Sequence, residues 1–589
     1  MQTVCMSISY GGQIDVVSAA FGSLSVIVPM LERMKVEEII DQHLPADPQA
    51  EFGHGKILSL LAAARLYSPV ALMNVPEWAA SSGADIVFGM PIEKMNDDRL
   101  GRSLDQFFEQ RHSILSSIAL HVSEEFGIPL REFHYDPTHI LFTGAYEGAA
   151  ARQGVVVKEG DAAGTILSDD MLEPAHITKG RATEDAPKGS KMIHAGLCVQ
   201  VDEYGPLPIY GHTVDGNQNG RRAVHEQFEL LHKHLPKLKL TMISDRGTYS
   251  VGHLLRLKDS GCDAICSAPW GEFSKLFDEK FKSLSWNTAT YLSIEQQRRR
   301  EQHSDLPHEG YKLAVLKHTL TDDQTRRELS CRIIFVDSSA DRKVVRQQRQ
   351  KQIDRITNEL KKIEASVAAG RAFSDEASVS RRVGRVLGTA SNAAKYFSHQ
   401  MVPLTKQELE ALPPPGRACR RPTHRFTFTF DEDQLRIDEK YDGYNAIVTT
   451  AKRTDSADAV FTQFKQQAYS EQVNARFKGP LGVRPVFLHN PQRVEALVFL
   501  MMIALTLHFL IQRTYRSNLP PDATVKQRRM TTLTLLKAFD NYALMIEKNR
   551  YHQIVRPTRL TPRQRDILQL LDLPTPAQIL SRLLPRPPT

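Results

Sequence analysis

A chain of 589 residues exceeds what one ordinary hydrophobic core can organise and divides into several units. An apolar fraction of 41% with 24% charged residues is the balance of a globular protein, which excludes a disordered or fibrous chain. Seventy-five Lys and Arg against 68 Asp and Glu leave a net charge of +7, a mild excess compatible with a polyanionic partner.

In chain order, residues 15–130 carry helical periodicity, in "VIVPMLERMKVEEIIDQHL", "ILSLLAAARLYSPVALM" and "DDRLGRSLDQFFEQRHSILSSIALHVSEEFG". Asp97 or Asp98 is the expected N-cap of the last of these. The pattern then changes. "REFHYDPTHILFTGAYEG", residues 131–148, reads as a strand with Asp136 in its middle. An ionised carboxylate in an apolar layer is costly unless it is paired or ligates a metal, so the strand is expected to open onto a polar site there. Pro137 removes a ladder donor, which predicts a bulge or a local break in pairing. After a polar connection at 148–190, "MIHAGLCVQVDEYGPLPIYGHTVDG" predicts a hairpin turning at "EYG". Helix "RRAVHEQFELLHKHL", strand "KLTMISDRGTYS", helix "VGHLLRLKDSG" and strand "CDAICSAP" follow. Three strands and then alternating helices and strands predict a mixed sheet with helices against it.

Beyond Trp270, "YKLAVLKHTL" and "CRIIFVDSS" read as strands. In "RKVVRQQRQKQIDRITNELKKIEASVAAG" the apolar positions look too sparse for a core helix, which predicts a solvated surface helix or one that follows a phosphate backbone. "LPPPG" and the basic "RACRRPTHR", with Arg420, Arg421 and Arg425, lead to strand signals in "FTFTFDEDQLRIDEKYDGYNAIVTT". Helical patterns return from 458. The apolar run "ALVFLMMIALTLHFLI" at 496–511 is short of a membrane span and contains Thr506 and His508, so a helix buried in protein is expected. Six cysteines without CxxC spacing indicate reduced, intracellular usage. No signal peptide is visible in "MQTVCMSISYGGQID", and a cytoplasmic location is expected.

Asp136 in one strand and Asp245 closing another would meet if the strands are neighbours. Glu471 and Lys478, seven residues apart in "FKQQAYSEQVNARFKG", share one helical face. "DGNQNG" at 215–220 reads as a turn before a helix. His134, His139 and His212 match no zinc spacing and are expected to be satisfied structural or surface side chains.

The order and spacing of "HYDPTHILFTGAYE", "HTVDGNQNG", "ISDRGTYS" and "FKQQAYSEQVNARFKGPLGVRPVFLHNPQRVEAL" resemble the DDE transposases of bacterial insertion sequences. The likeness is to the insertion-sequence-four superfamily, in the branch whose N-terminal helices carry a motif like "NDDRLGRSLDQF", and it extends over about residues 20 to 570. It implies an α/β fold: a ribonuclease-H-like mixed sheet with flanking helices, interrupted by a β-rich insertion, plus helical N- and C-terminal regions. The corresponding segments are a helical N-terminal domain at 1–130, a candidate for binding DNA ends, and a first part of the core at 131–270. An insertion at 271–457, a helical completion of the core at 458–515 and a helical C-terminal region at 516–589 complete the chain.

The resemblance further implies Asp136, Asp245 and Glu471 as the catalytic triad, Lys478 as a contact to DNA phosphate, and a base flipped onto Trp286 or Trp270. Phe464 and Gln467 stand where the family's signature has Tyr and Arg. Two Mg²⁺ ions roughly 3.5–4 Å apart, replaceable by Mn²⁺, would be bridged by Asp136, with Asp245 and Glu471 each holding one. The expected partners are double-stranded DNA, as terminal repeats and target, and a second copy of the chain. Arg420, Arg421, Arg425 and the cations along 342–362 would follow the DNA backbone. A nuclease that cuts without joining, and an inactive DNA-binding derivative, are the alternatives.

Overall fold

A computed structural model describes residues 6–9, 13–142, 173–180, 190–218, 220–293, 296, 299–300, 310–370, 376–388, 392–412, 421–451, 455–479, 488–548 and 553–583. Contacts divide the chain into two compact units, one formed by Met1–Ala268, His318–Cys331 and Val448–Thr589, the other by Pro269–Lys317 and Arg332–Ile447. The first unit includes the helical segment at 1–130.

The first unit starts with strands β1 (Met6–Ser9) and β2 (Gln13–Ala19), then helices α1 (Leu24–Arg33), α2 (Val36–His43), α3 (His54–Tyr67) and α4 (Asp97–Glu125). The N-cap of α4 is Asn96, not Asp97 or Asp98; its side chain accepts from the Arg99 amide at 2.9 Å, and both aspartates fall in the first turn. There they favour the positive end of the helix dipole. Next come β3 (Glu132–Phe142), β4 (Thr178–Lys179), β5 (Lys191–Asp202), β6 (Gly205–Asp215), α5 (Gly220–His234), β7 (Thr241–Ser244), α6 (Val251–Asp259) and β8 (Asp263–Ala268).

In this sheet β5 pairs antiparallel with both β3 and β6, while β7 lies parallel to β3 on its other side and β8 parallel to β7. The result is a mixed α/β architecture. Pairing of β3 with β5 runs without interruption through Asp136↔Leu197, Pro137↔Gly196 and Thr138↔Ala195, so the bulge expected at Pro137 is absent on that edge. Pairing with β7 stops at Tyr135↔Ser244, one residue before Asp136, so no β7 acceptor is left facing the missing donor. Gly196 permits this register, because a Cβ there would lie 2.5 Å from the Tyr135 hydroxyl.

The second unit contains β9 (Asn287–Thr288), the helices α7 (Ser339–Ala368) and α8 (Glu376–Gly388), and the antiparallel pair β12 (Phe397–Pro403) and β13 (His424–Phe430). The intervening β10 (Tyr311–Thr321) and β11 (Glu328–Ser338) form where expected, with their His318–Cys331 portion belonging to the first unit. Helix α7 is not merely a solvated surface helix. Ile353, Ile356, Leu360, Ile363 and Val367, at alternating spacings of three and four, make a buried stripe that packs with Val379, Val383, Tyr396 and Phe426. Its first half lacks such a stripe. Leu360→Ala should cost about 2–5 kcal/mol, read as an earlier chemical-unfolding transition of this unit.

The remainder of the first unit comprises β14 (Tyr444–Thr449), whose last residues belong to it, α9 (Ala457–Lys465), α10 (Ala468–Lys478), α11 (Pro491–Ser517), β15 (Leu544–Lys548), β16 (Gln553–Pro557), α12 (Pro562–Leu570) and α13 (Pro576–Leu583). Helix α11 is long and apolar enough to cross a membrane, yet its apolar window is wholly buried within the fold. It packs on β6, α3 and α4. The two chain-terminal regions are not purely helical: β1, β2, β15 and β16 form one antiparallel sheet in that order. Cys198, Cys262, Cys266 and Cys331 are free and buried, and Cys5 and Cys419 lie outside the described residues.

Candidate active site

Asp136 sits where β3 runs on past the end of β7, and Asp245 is the first residue after β7. Adjacent parallel strands therefore deliver the two carboxylates to one edge of the sheet. Asp245 leads into a tight turn, in which the Thr248 hydroxyl donates to the Asp245 carbonyl at 2.9 Å. Above β3 lies α10, whose buried face is Ser470, Val473, Asn474 and Phe477. Its position is set partly from α9, where the Gln463 amide donates to Glu132 at the start of β3 at 2.7 Å.

Asn474 was not among the expected site residues. Its amide donates to the Asp136 carboxylate at 3.0 Å and to the Asp136 carbonyl at 3.3 Å. It lies three residues after Glu471 and four before Lys478, on the same helical face, and that spacing was the signal that could have found it. Burial pushes the Asp136 carboxyl up, and the charges of Asp245 and Glu471 push it further, to about 6, against the Asn474 hydrogen bond and the Lys478 charge. The four expected residues, Asp136, Asp245, Glu471 and Lys478, thus fall within one electrostatic neighbourhood. Asp136 is half-buried, whereas Asp245 and Glu471 are exposed.

The donor set is hard oxygen, suited in kind to Mg²⁺. Two like charges raising a third carboxyl is the condition a divalent cation relieves. Among the described residues, however, no three carboxylate, His or Cys side chains stand close enough to hold one ion together. The described side chains therefore do not by themselves complete a single-ion cage.

Phe464 lies near the end of α9 and Gln467 in the turn before α10. His134 does not match the satisfied role expected of it: it is fully buried, neither ring nitrogen has a hydrogen-bond partner, and burial pulls its pKa down to about 3. The ring is held neutral. Asp215 closes β6 and accepts from the His176 amide at 2.8 Å, as suits the expected turn.

In the second unit, Trp270 is packed against Phe277 at 5.1 Å and stacked on Tyr444 at 6.2 Å, so its faces are occupied. Trp286 packs on Tyr444 at 5.9 Å and stays partly exposed. Arg420 lies outside the described residues; Arg421 is exposed. Arg425 is exposed but paired with Glu408. Along 342–362 much of the positive charge is already spent within the unit. Arg346 binds the buried Asp442 at 3.1 Å, Arg349 binds the same carboxylate, and Arg342 binds Asp337 and the Asp442 carbonyl.

A family model described as a domain of unknown function (DUF4277) matches residues 17–120, the β2 to α4 portion of the first unit. No curated protein matches the chain.

Proposed function

We propose that this chain is a DNA transposase of the DDE type, which cuts phosphodiester bonds at the ends of an insertion sequence and joins the freed 3′ hydroxyls to target DNA. The observation that carries the reading is Asp136, placed in a central strand just past the end of its parallel neighbour, beside Asp245 and beneath a helical face bearing Glu471, Asn474 and Lys478. The sheet supports the finer assignment to a ribonuclease-H-like core: three antiparallel strands, then two parallel ones added on the far side of the first.

Asp136 with Asp245, and Asp136 with Glu471, are the pairs that would hold two Mg²⁺ ions or Mn²⁺ in their place. When bound, such ions supply an activated oxygen nucleophile and neutralise charge on the phosphoryl oxygens. The protein's own groups do the positioning. Asn474 fixes the Asp136 carboxylate at one oxygen and leaves the other free. Lys478, two turns from Glu471, offers a compact cation to a phosphate of the cleaved end. One site serves cutting and joining, because both are in-line displacements at phosphorus. The reading includes a bacterial cytoplasmic location and two copies of the chain acting across paired DNA ends.

A second reading has its own support. The absence, among the described residues, of three ligands around one ion, together with Phe464 and Gln467, favours a chain that binds DNA without cutting it. One experiment separates the readings: a labelled duplex carrying the inverted repeats that flank the gene, supercoiled target and Mg²⁺. Joined products are expected. Nicked ends that never join indicate a nuclease, and retained but uncut ends indicate the inactive derivative.

A further inference from the structure

The segment "QIVRPTRLTPRQR", residues 553–565, holds four arginines and no acidic residue. All four, Arg556, Arg559, Arg563 and Arg565, are exposed. Among the described residues, the ion pair nearest to satisfying any of them is Arg556 to Glu547, at a loose 3.9 Å. That sets them apart from Arg346, Arg349 and Arg425, whose charges are neutralised inside their own unit. A cation held in an internal pair must give that pair up to bind phosphate. An unpaired one gives up only its counterions.

The segment is also rigidly mounted. Arg556 lies opposite Met545 in the β15–β16 ladder, and Met545 and Ile554 leave 36% and 41% of their surface exposed on either side of that ladder. The connector bearing Arg559 is tied down by Thr558, whose amide donates to the Ala543 carbonyl at 2.9 Å and whose hydroxyl accepts from the Ala543 amide at 3.1 Å. In the first turn of α12, Gln564 is buried; its side chain accepts from the amide of the N-cap Thr561 at 2.8 Å and donates to the Ala538 carbonyl at 2.9 Å. Arg563 and Arg565 flank this anchored residue in the first turn of the helix, four and six residues after Arg559.

We infer that residues 556–565 form a phosphate-tracking surface for duplex DNA, a proposal that rests on the transposase reading. Four like charges stand exposed over a span of ten residues with one loose internal pair, Arg556 to Glu547, and a polyanion would compensate the rest. The exposed Met545 and Ile554 suit contact with the sugar edges between phosphates. The sequence-level candidates for backbone contact lay elsewhere, at Arg420 to Arg425 and 342–362.

The test uses the full chain and a fluorescent duplex of arbitrary sequence, with the dissociation constant measured from about 50 to 200 mM salt. Replacing Arg559, Arg563 and Arg565 together by Ala should weaken binding roughly tenfold or more at low salt and flatten the salt dependence by about 0.9 per arginine removed. The triple Lys variant should keep the wild-type slope, which a purely structural role would not predict. If wild-type protein binds duplex and the Ala variant shows the same slope, the inference fails while the transposase reading stands. If wild-type protein binds no duplex and cuts no end fragment, the reading itself fails. Loss of binding to phosphatidylserine vesicles with duplex binding unchanged would also overturn the inference.

Discussion

Asp136→Asn should abolish end cleavage, by at least about a thousandfold, while end binding is retained. Several kcal/mol of transition-state stabilisation depend on a ligand shared by both cations, and each 1.36 kcal/mol is tenfold in rate. The same variant should be more stable than wild type at neutral pH without divalent cations. The sign follows from the raised carboxyl. Asp136 holds its proton more tightly folded than unfolded, so its contribution is complete below its ordinary value of 3.8 and is lost as pH rises through about 6. The difference is at most about 3 kcal/mol, from 1.36 kcal/mol per pKa unit. An asparagine side chain at this position cannot ionise and escapes that loss. Unfolding curves at pH 3 and pH 7 should therefore nearly coincide at the lower pH and separate at the higher. Mg²⁺ should stabilise the wild type and leave the variant unmoved. A variant that still cleaves, or that shows no gain at pH 7, removes Asp136 from the site.

The sheet around Asp136 was legible because its signals are local. Apolar alternation over 132–142 and 191–215, broken by Glu203, Tyr204 and Gly205, specifies three strands and a hairpin without knowledge of what they face. The site followed from the same economy, since Asp136 and Asp245 each stand one residue beyond the last paired positions of β3 and β7. What escaped was long-range. β2 pairs with β15 across more than 500 residues, as Val17↔Ile546 and Ser18↔Met545, and neither partner carries a mark of the other. The stripe on α7 was hidden because five apolar residues in a helix crowded with Lys, Arg and Gln look sparse until β13 and α8 supply the other half of their core. Charge was misread for a related reason. Arg346 and Arg349 look available to DNA until Asp442, nearly 100 residues later, is seen between them.

Glu495→Ala should be the most destabilising single change in the first unit, at about 3–5 kcal/mol. Glu495 on α11 meets Arg111 on α4 at 2.8 Å, with both side chains 2% exposed. Its second oxygen accepts from the Ala175 amide at 2.6 Å. Arg111 stacks over the Phe108 ring at 3.9 Å and donates to the Phe108 carbonyl at 2.5 Å, so the guanidinium is locked in place. Removing the carboxylate takes the paired acid away from a buried cation, and orphans a buried amide as well. The pair itself is worth far less than this penalty, because bringing two charges out of water offsets most of their attraction. Arg111→Met combined with Glu495→Leu should accordingly recover most of the loss, and a double-mutant cycle on urea unfolding should return a coupling of about 1–3 kcal/mol. Through this pair the helices of residues 24–125 are joined to the helix that backs β6 and the sheet carrying Asp136. A single cooperative transition for the first unit in wild type, splitting into two in Glu495→Ala, is the expected signature; a double variant whose cost equals the sum of the two single variants would show that the pair does not couple them.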